Sequence, residues 1–385
     1  MTEQAVKGET ANLQKLSKPF LTPDDVTSLL SRLFGLRACH VEEFNSYDDR
    51  IYHVTTVPGQ GIGEQKEFML KVLNSVFTAE GAVETQTDVL DFLQSFPELR
   101  CQCPVANLSG QFVSFESIQT DYLNGERIGR IAAPTAVRLF SFLPGKPLLK
   151  LAPIPPVSFA KLGEHLGGLQ IALQKYPNDV KPLERRAGLD IWCLQNLSDL
   201  RRYLHVVKDA KSLRIVKEVI TEYERKVTPI YGELRKGIVH HDYNESNVLA
   251  VSPLGGNSQG TRGFEISGVI DFDFMVYSCL VFEIAVPMMY LMFCSDQPLE
   301  ATANLLAGFE SRAPLTEKER GVLRVLIAGR FIQSLVLGLY SSSFNPDNSC
   351  IVGTQAKSLN LLEDFWNHPE EDLMKLWRDI KGNVS

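Results

Sequence analysis

Hydrophobic and polar positions alternate along the first third of this chain and then switch to a helical period. Short strand-like runs mark Ala38–Phe44 and Arg50–Thr56, joined by the polar turn 45–49, and a third run lies at 67–73 after the turn 58–63. Gly59, Gly61 and Gly63 lie in that last turn with no helical pattern behind them, so they read as a hairpin tip. Two helices interrupt the strands. Thr22-Pro23-Asp24-Asp25 opens the first, with Thr22 as N-cap and Val26, Leu29, Leu30, Leu33 and Phe34 as its apolar face. The second spans 81–96 and carries Val83, Leu90, Phe92 and Leu93. Further strands are expected at 103–107, 111–117 and 128–143, the last broken by Pro134 and ending at Pro144-Gly145. From Ser158 onward the period is helical, at 159–173, 189–204, 210–234, 316–341 and 370–380.

The change of period predicts an α+β protein of two lobes. A loose tail over 1–20 precedes an N-lobe over 21–143 with an antiparallel sheet, and a larger, mainly helical C-lobe covers 144–385. A chain of 385 residues is long enough for two cores. The stretch 274–294 is nearly long enough to span a bilayer, but Glu283 and Pro287 interrupt it, so it reads as a buried helix. The stretch 252–267 is rich in Gly, Ser, Asn and Gln and reads as a mobile surface hairpin.

Charge and cysteine usage narrow the function. A net charge of −7 with no Lys/Arg-rich run argues against nucleic-acid or anionic-membrane partners. The 7 cysteines show no zinc spacing, and Cys101 and Cys103 are too close to form half of a usual site. Reduced thiols in a cytoplasmic protein are expected. The first ten residues have no apolar core, and no secretory signal is expected there.

Chemistry concentrates in 237–274. His240-x-Asp242 is followed after four residues by Asn247 and an apolar pair, and a strand-like run then ends in Asp271. A carboxylate, an asparagine five residues on and a second carboxylate beyond a hairpin form the phosphotransfer set of the protein-kinase fold. Asp242 can accept a hydrogen bond from an alcohol, and Asn247 and Asp271 offer the hard oxygens that Mg²⁺ prefers. Upstream, Lys71 sits mid-strand on the face opposite Leu70 and Val72, as a phosphate-anchoring lysine would. Such a lysine predicts an acidic partner on the next helix, Glu84 in preference to Glu80.

With these motifs in register, the chain resembles the aminoglycoside phosphotransferase/choline kinase branch of the kinase fold, and within it the hydroxylysine kinases. The branch is carried by the Asp242, Asn247 and Asp271 motifs. The narrower likeness rests on 46–49 with His53-Val54, 137–139 with 143–145, 281–285, 306–310, and Arg330-Phe331 with 333–336. The resemblance implies a two-lobed kinase-like fold. It makes Asp242 the catalytic base, Asn247 and Asp271 the Mg²⁺ ligands, and Lys71 with Glu84 the anchoring pair. It places the turn from Ser46 through Asp49 to Arg50 over the phosphates and the Ser141–Leu143 hinge against the base. The implied reaction is transfer from GTP or ATP to the side-chain hydroxyl of 5-hydroxylysine, with a small amino alcohol and a nucleotide as the partners and no protein partner. Glu245, Asp273 and Glu283 are candidate acids for ammonium groups, and Arg185, Arg186 or Arg330 for the carboxylate. Choline, homoserine or an aminoglycoside-like amine are the other acceptors, and a silent nucleotide-binding pseudokinase the other class. Three positions depart from the pattern: His241 and Asp273 where Gly is usual, and Ile51 where Asn is.

Overall fold

Thr22 caps α1 (Pro23–Phe34) as its sequence predicts: its Oγ accepts from the Asp25 amide (3.3 Å), and the Asp25 carboxylate accepts from the Thr22 amide (2.8 Å). In this computed structural model residues 16–46, 49–74, 81–124, 127–251, 263–343 and 355–384 are described. The strands of the first sheet are β1 (Leu16–Pro19), β2 (Ala38–Phe44), β3 (Arg50–Thr56), β4 (Glu67–Val72), β5 (Pro104–Val105), β6 (Ser114–Asn124) and β7 (Arg127–Ser141). Their spatial order is β1-β6-β7-β4-β3-β2, all antiparallel, with β5 also on β7. Alternation decides the faces. Phe68, Leu70 and Val72 of β4 join Val54 and Leu139 in a core completed by Val26, Leu29, Leu30 and Phe34 of α1. On the other face, Leu73 and Ala136 pack with Val83 of α2 (Ala82–Leu93).

Two expectations are corrected here. Leu16–Pro19 is no tail but an edge strand, because β6 offers it a free ladder. Pro134 does not break β7, which pairs with β6 straight through Pro134↔Ser117. β4 reaches only to Val137, so at Pro134 the strand pairs with β6 alone among the described residues and the missing N–H can face the open side.

The described residues form two compact units. One runs to Phe92 and includes Gln102–Phe142; the other joins Leu93–Cys101 to the chain from Leu143 on. The sequence reading left Leu93–Cys101 with the first. It belongs to the second because the Val269 amide donates to Arg100 O (3.1 Å) and Cys101 bridges Val269 in parallel.

The second unit is helical: α3 (Phe159–Leu173), α4 (Lys181–Leu189), α5 (Ala210–Lys226), α6 (Val281–Tyr290), α7 (Pro298–Arg312), α8 (Glu317–Ser342), α9 (Gln355–Asn367) and α10 (Glu370–Val384). α3 and α7 pack backbone to backbone: a Cβ on Gly163 would strike Leu305 O, and one on Gly308 would strike Ala160 O. α8 is long and apolar enough to cross a membrane, but 83% of its apolar window is buried in the protein, as befits a core helix. Short strands position the site: β8 (Lys146–Pro147), β9 (Lys236–Val239), β10 (Val248–Val251), β11 (Glu265–Val269) and β12 (Val276–Cys279), with β9 on β12 and β10 between β8 and β11. The helix expected over 210–234 gives way after Lys226 to a 3-10 stretch over Thr228–Glu233, since Pro229 has no N–H to continue the α-helical ladder. The expectation for 189–204 becomes a 3-10 stretch over Leu194–Val206 with non-helical backbone at Asn196. Of the expected surface hairpin, 252–262 lie outside the described residues, and Glu265–Ser267 are already strand.

Candidate active site

β9 delivers the chain to His240, and two histidines then shape the loop around Asp242. The Asp242 amide donates to His240 Nδ1 (3.1 Å), so that nitrogen is unprotonated and Nε2–H donates to Ile270 O (3.2 Å). Burial keeps this ring neutral, pushing its pKa down to about 4. The His240 ring also lies 4.3 Å from that of Phe272. One side chain therefore ties the Asp242 loop to the residue before Asp271. A backbone bond repeats the tie, with the Ile270 amide donating to Asn247 O (3.0 Å). His241 and Asp271 both stand in the left-handed region, at φ 63° and 62°. His241, where glycine is usual, is held there by burial, by the Leu194 amide on its Nε2 (3.4 Å), and by its own amide on Glu283 Oε2 (3.2 Å).

Asp242 is gripped at both oxygens. Asn247 Nδ2 donates to Oδ2 (2.8 Å) and to the Asp242 carbonyl (3.0 Å), and Arg330 Nη2 donates to Oδ1 (3.2 Å). Burial raises the Asp242 carboxyl to about 7; the Asp271 charge adds to this, and Arg330 opposes both. Arg330 is 2% exposed. Its Nη1 donates to Trp192 O (2.9 Å), and its guanidinium carbon lies 5.1 Å from the Trp192 ring centroid and 5.3 Å from that of Tyr290.

The residues fit a divalent cation. Asn247 spends its amide N–H groups on Asp242, which leaves Oδ1 as a lone-pair donor, and the β10–β11 ladder with the Ile270 amide on Asn247 O brings the backbone leading to Asp271 next to Asn247. Among the described residues no cluster of three or more His, Cys, Asp or Glu is disposed for a metal. Mg²⁺ takes one or two protein oxygens and completes its shell with phosphates and water.

In the first unit Lys71 lies in the middle of β4, opposite Ile51 on one side and Arg138 on the other. Its Nζ is 3.6 Å from Asp49 Oδ2, while Asp49 Oδ1 accepts from the Asn74 amide (2.7 Å) and the Ser46 hydroxyl donates to Asp49 O. Asp49 thus links Lys71 to Ser46 and Asn74, while residues 47 and 48 of the expected turn lie outside the described residues. Glu84 is not Lys71's partner: α2 buries Ala82, Val83, Gln86, Thr87 and Leu90, and that face turns Glu84 to solvent. Glu80 lies outside the described residues. Arg138, fully buried, reaches α2 instead, donating to Thr87 Oγ1 (3.3 Å). Ser141 ends β7, its amide on Cys103 O (2.9 Å); Leu143 belongs to the second unit, where it sits against Gly268.

The candidate substrate acids separate. Glu245 is buried one turn beyond Asp242, and Asp273 is half-buried just past Asp271. Glu283 is corrected: it is 1% exposed and holds the His241 backbone, so it serves the loop and not a substrate. Arg186 pairs with Asp190 (3.4 Å), and Arg330 faces Asp242. The sequence reading missed that Arg330 pairing and the Asp49–Lys71 contact. Asp49 was already in the motif; nothing in the spacing of Arg330 points to Asp242, 88 residues away.

A kinase-like two-lobed fold and this set of groups define a phosphotransferase with an alcohol as acceptor. The chain belongs to the phosphotransferase enzyme family, whose model matches residues 40–322. It is similar to the hydroxylysine kinase of Xenopus laevis, 33% identical over 365 residues that cover 94% of each chain. It is 28% identical over 227 residues to a homoserine kinase of Gluconacetobacter diazotrophicus, covering 58% of this chain and 62% of the other. Among solved structures, an amicoumacin kinase in complex with AMP-PNP, Ca²⁺ and Ami superposes with a TM-score of 0.62 at 15% identity, over 94% of this chain and 96% of that one, a likeness of fold.

Proposed function

We propose that this protein is a Mg²⁺-dependent kinase that transfers the γ-phosphate of GTP, or of ATP, to the side-chain hydroxyl of 5-hydroxylysine in the cytoplasm. The observation that carries this reading is the doubly held Asp242 beside Asn247 and Asp271, in a chain 33% identical to a hydroxylysine kinase across 94% of its length. Cys39, Cys101, Cys103, Cys193 and Cys279 are free thiols, which supports the compartment.

In this reading Asp242 accepts the hydroxyl proton and aims the oxygen at phosphorus. Loss of such a general base costs about 10²-fold or more. Mg²⁺ held by Asn247 and Asp271 would neutralise charge on the phosphates. Lys71, linked through Asp49 to Ser46, binds phosphate oxygens, and 141–143 meets the base. Glu245 and Asp273 attract the two ammonium groups. Each task is positioning or charge balance, which is most of what phosphoryl transfer asks of a protein.

The second reading, a homoserine kinase or a kinase of choline or an aminoglycoside-like amine, is favoured only by the shorter homoserine kinase match. A silent pseudokinase is disfavoured by the presence of Lys71, Asp242, Asn247 and Asp271 together. The test is nucleoside-diphosphate release with Mg²⁺, crossing GTP and ATP with hydroxylysine, lysine, homoserine, choline and kanamycin, with Asp242→Asn as the blank. Turnover with hydroxylysine and none with lysine is expected. Turnover with another alcohol alone sinks the substrate, and silence across the panel with nucleotide bound sinks the enzyme.

A further inference from the structure

We infer that Arg330 is a positioning residue for the transfer step, fixing the rotamer of Asp242 and not meeting the substrate. The inference rests on the reading of Asp242 as the general base. Four observations converge on it. Arg330 reaches Asp242 from α8, 88 residues further along the chain, and takes Oδ1 at 3.2 Å while Asn247 takes Oδ2 at 2.8 Å. Its second terminal nitrogen is spent on Trp192 O at 2.9 Å. Its plane lies within cation–π range of Trp192 and Tyr290. It is 2% exposed, so a substrate carboxylate has no path to its fork.

A planar fork locked in this way does what a lysine at the same place cannot. Guanidinium donors point in fixed directions, so they set where a carboxylate oxygen sits as well as balancing its charge. Each carboxylate oxygen has a second lone pair, so Asp242 held at both ends still has an acceptor for the hydroxyl. The third guanidinium nitrogen of Arg330, Nε, is buried and has no hydrogen-bond partner among the described residues. An unpaired buried donor is a cost to stability, and it fits a residue kept for the site.

The test is steady-state kinetics of full-length Arg330→Met, Arg330→Lys, Asp242→Asn and the Asp242→Asn/Arg330→Met double variant, with circular dichroism to check folding. The acceptor is whichever alcohol the wild type turns over best. Arg330→Met is expected to lower kcat about 10²-fold, the scale of a small misplacement of a reacting group, with acceptor KM nearly unchanged. Arg330→Lys keeps the charge without the fork and is expected to lose about tenfold in kcat. In the double variant the Arg330 change is expected to add almost nothing to Asp242→Asn, because one group acts through the other. A raised acceptor KM at unchanged kcat would make Arg330 a substrate receptor, and multiplicative losses would make it independent of Asp242; either overturns the inference. If Arg330→Met fails to fold, Arg330→Lys decides, wild-type kcat in it being the overturning result. Wild-type turnover in Asp242→Asn would overturn the general-base reading as well, whereas an inactive Asp242→Asn beside a fully active Arg330→Met would overturn this inference alone.

Discussion

Replacing Glu283 with glutamine should make the protein more resistant to alkaline pH. Glu283 is 1% exposed, its Oε2 accepts from the His241 amide, and its Oε1 has no hydrogen-bond partner among the described residues. Burial raises its carboxyl from 4.5 to about 8, and the backbone amides of His241 and His240 recover only part of that. A carboxyl raised on folding binds more protons in the folded state. Its stabilising contribution is full below 4.5 and is lost as pH rises through about 8. At about 1.4 kcal/mol per pKa unit, the step from about pH 6 to about pH 8 costs the wild type about 2 kcal/mol through this group. Glutamine keeps an acceptor for the His241 amide and does not ionise. The neighbouring His240 and His241 are both pushed down by burial, below this window, so the difference between wild type and variant isolates Glu283. The assay is urea unfolding of both proteins at the two pH values, followed by circular dichroism. The stability difference is expected to move about 2 kcal/mol in favour of Glu283→Gln from the lower to the higher pH. Parallel curves for the two proteins would refute the reasoning, because they would mean that Glu283 ionises in the folded protein as it does in the unfolded chain.

Three further outcomes are expected. His241→Gly should be more stable than His241→Ala by about 1 kcal/mol in thermal or urea unfolding, since both lose the ring and only alanine keeps a Cβ at positive φ. Asp49→Asn should raise the nucleotide KM several-fold by loosening the contact of residue 49 with Lys71, while Glu84→Gln should leave it unchanged, as steady-state titration of the nucleotide would show. Thr316→Ala should cost about 1 kcal/mol in urea unfolding, because Thr316 Oγ and Glu319 form the capping box that starts α8.

What was legible in the chain was what local pattern controls. The Thr22 cap, the alternation that puts Lys71 on the face away from Leu70 and Val72, and the helix over Phe159–Leu173 all follow from period and capping. What the sequence did not disclose depends on long-range approach. Leu16–Pro19 looks polar and becomes a strand only because β6 is there to pair with it. Glu84 and Glu80 cannot be ranked until the buried stripe of α2 is known, and that stripe faces Glu84 outward. Glu283 reads as an acid near the site, and only the fold shows it beneath the His241 backbone. Arg330 reads as a cation for a substrate; its partner is a carboxylate 88 residues earlier in the chain.

The membership of Leu93–Cys101 bears on how the protein is made. Arg100 Nη1 donates to Ile266 O across 166 residues, and His165 holds Leu99 O at 3.1 Å. A ribosome releases 93–101 long before it has built the strand that receives it. The sheet around β4, whose last strand ends at Ser141, has all its parts outside the tunnel while the second unit still lacks most of its chain. The early segment must then wait, tethered at both ends to a lobe that is ready to fold, until β11 emerges. Such distant pairing slows folding, and it makes the second unit a piece that cannot be cut out by one break in the chain. A fragment starting at Leu143 would lack the Arg100–Cys101 segment that bridges Val269, and co-expression of 93–101 on the first fragment would be needed to supply it.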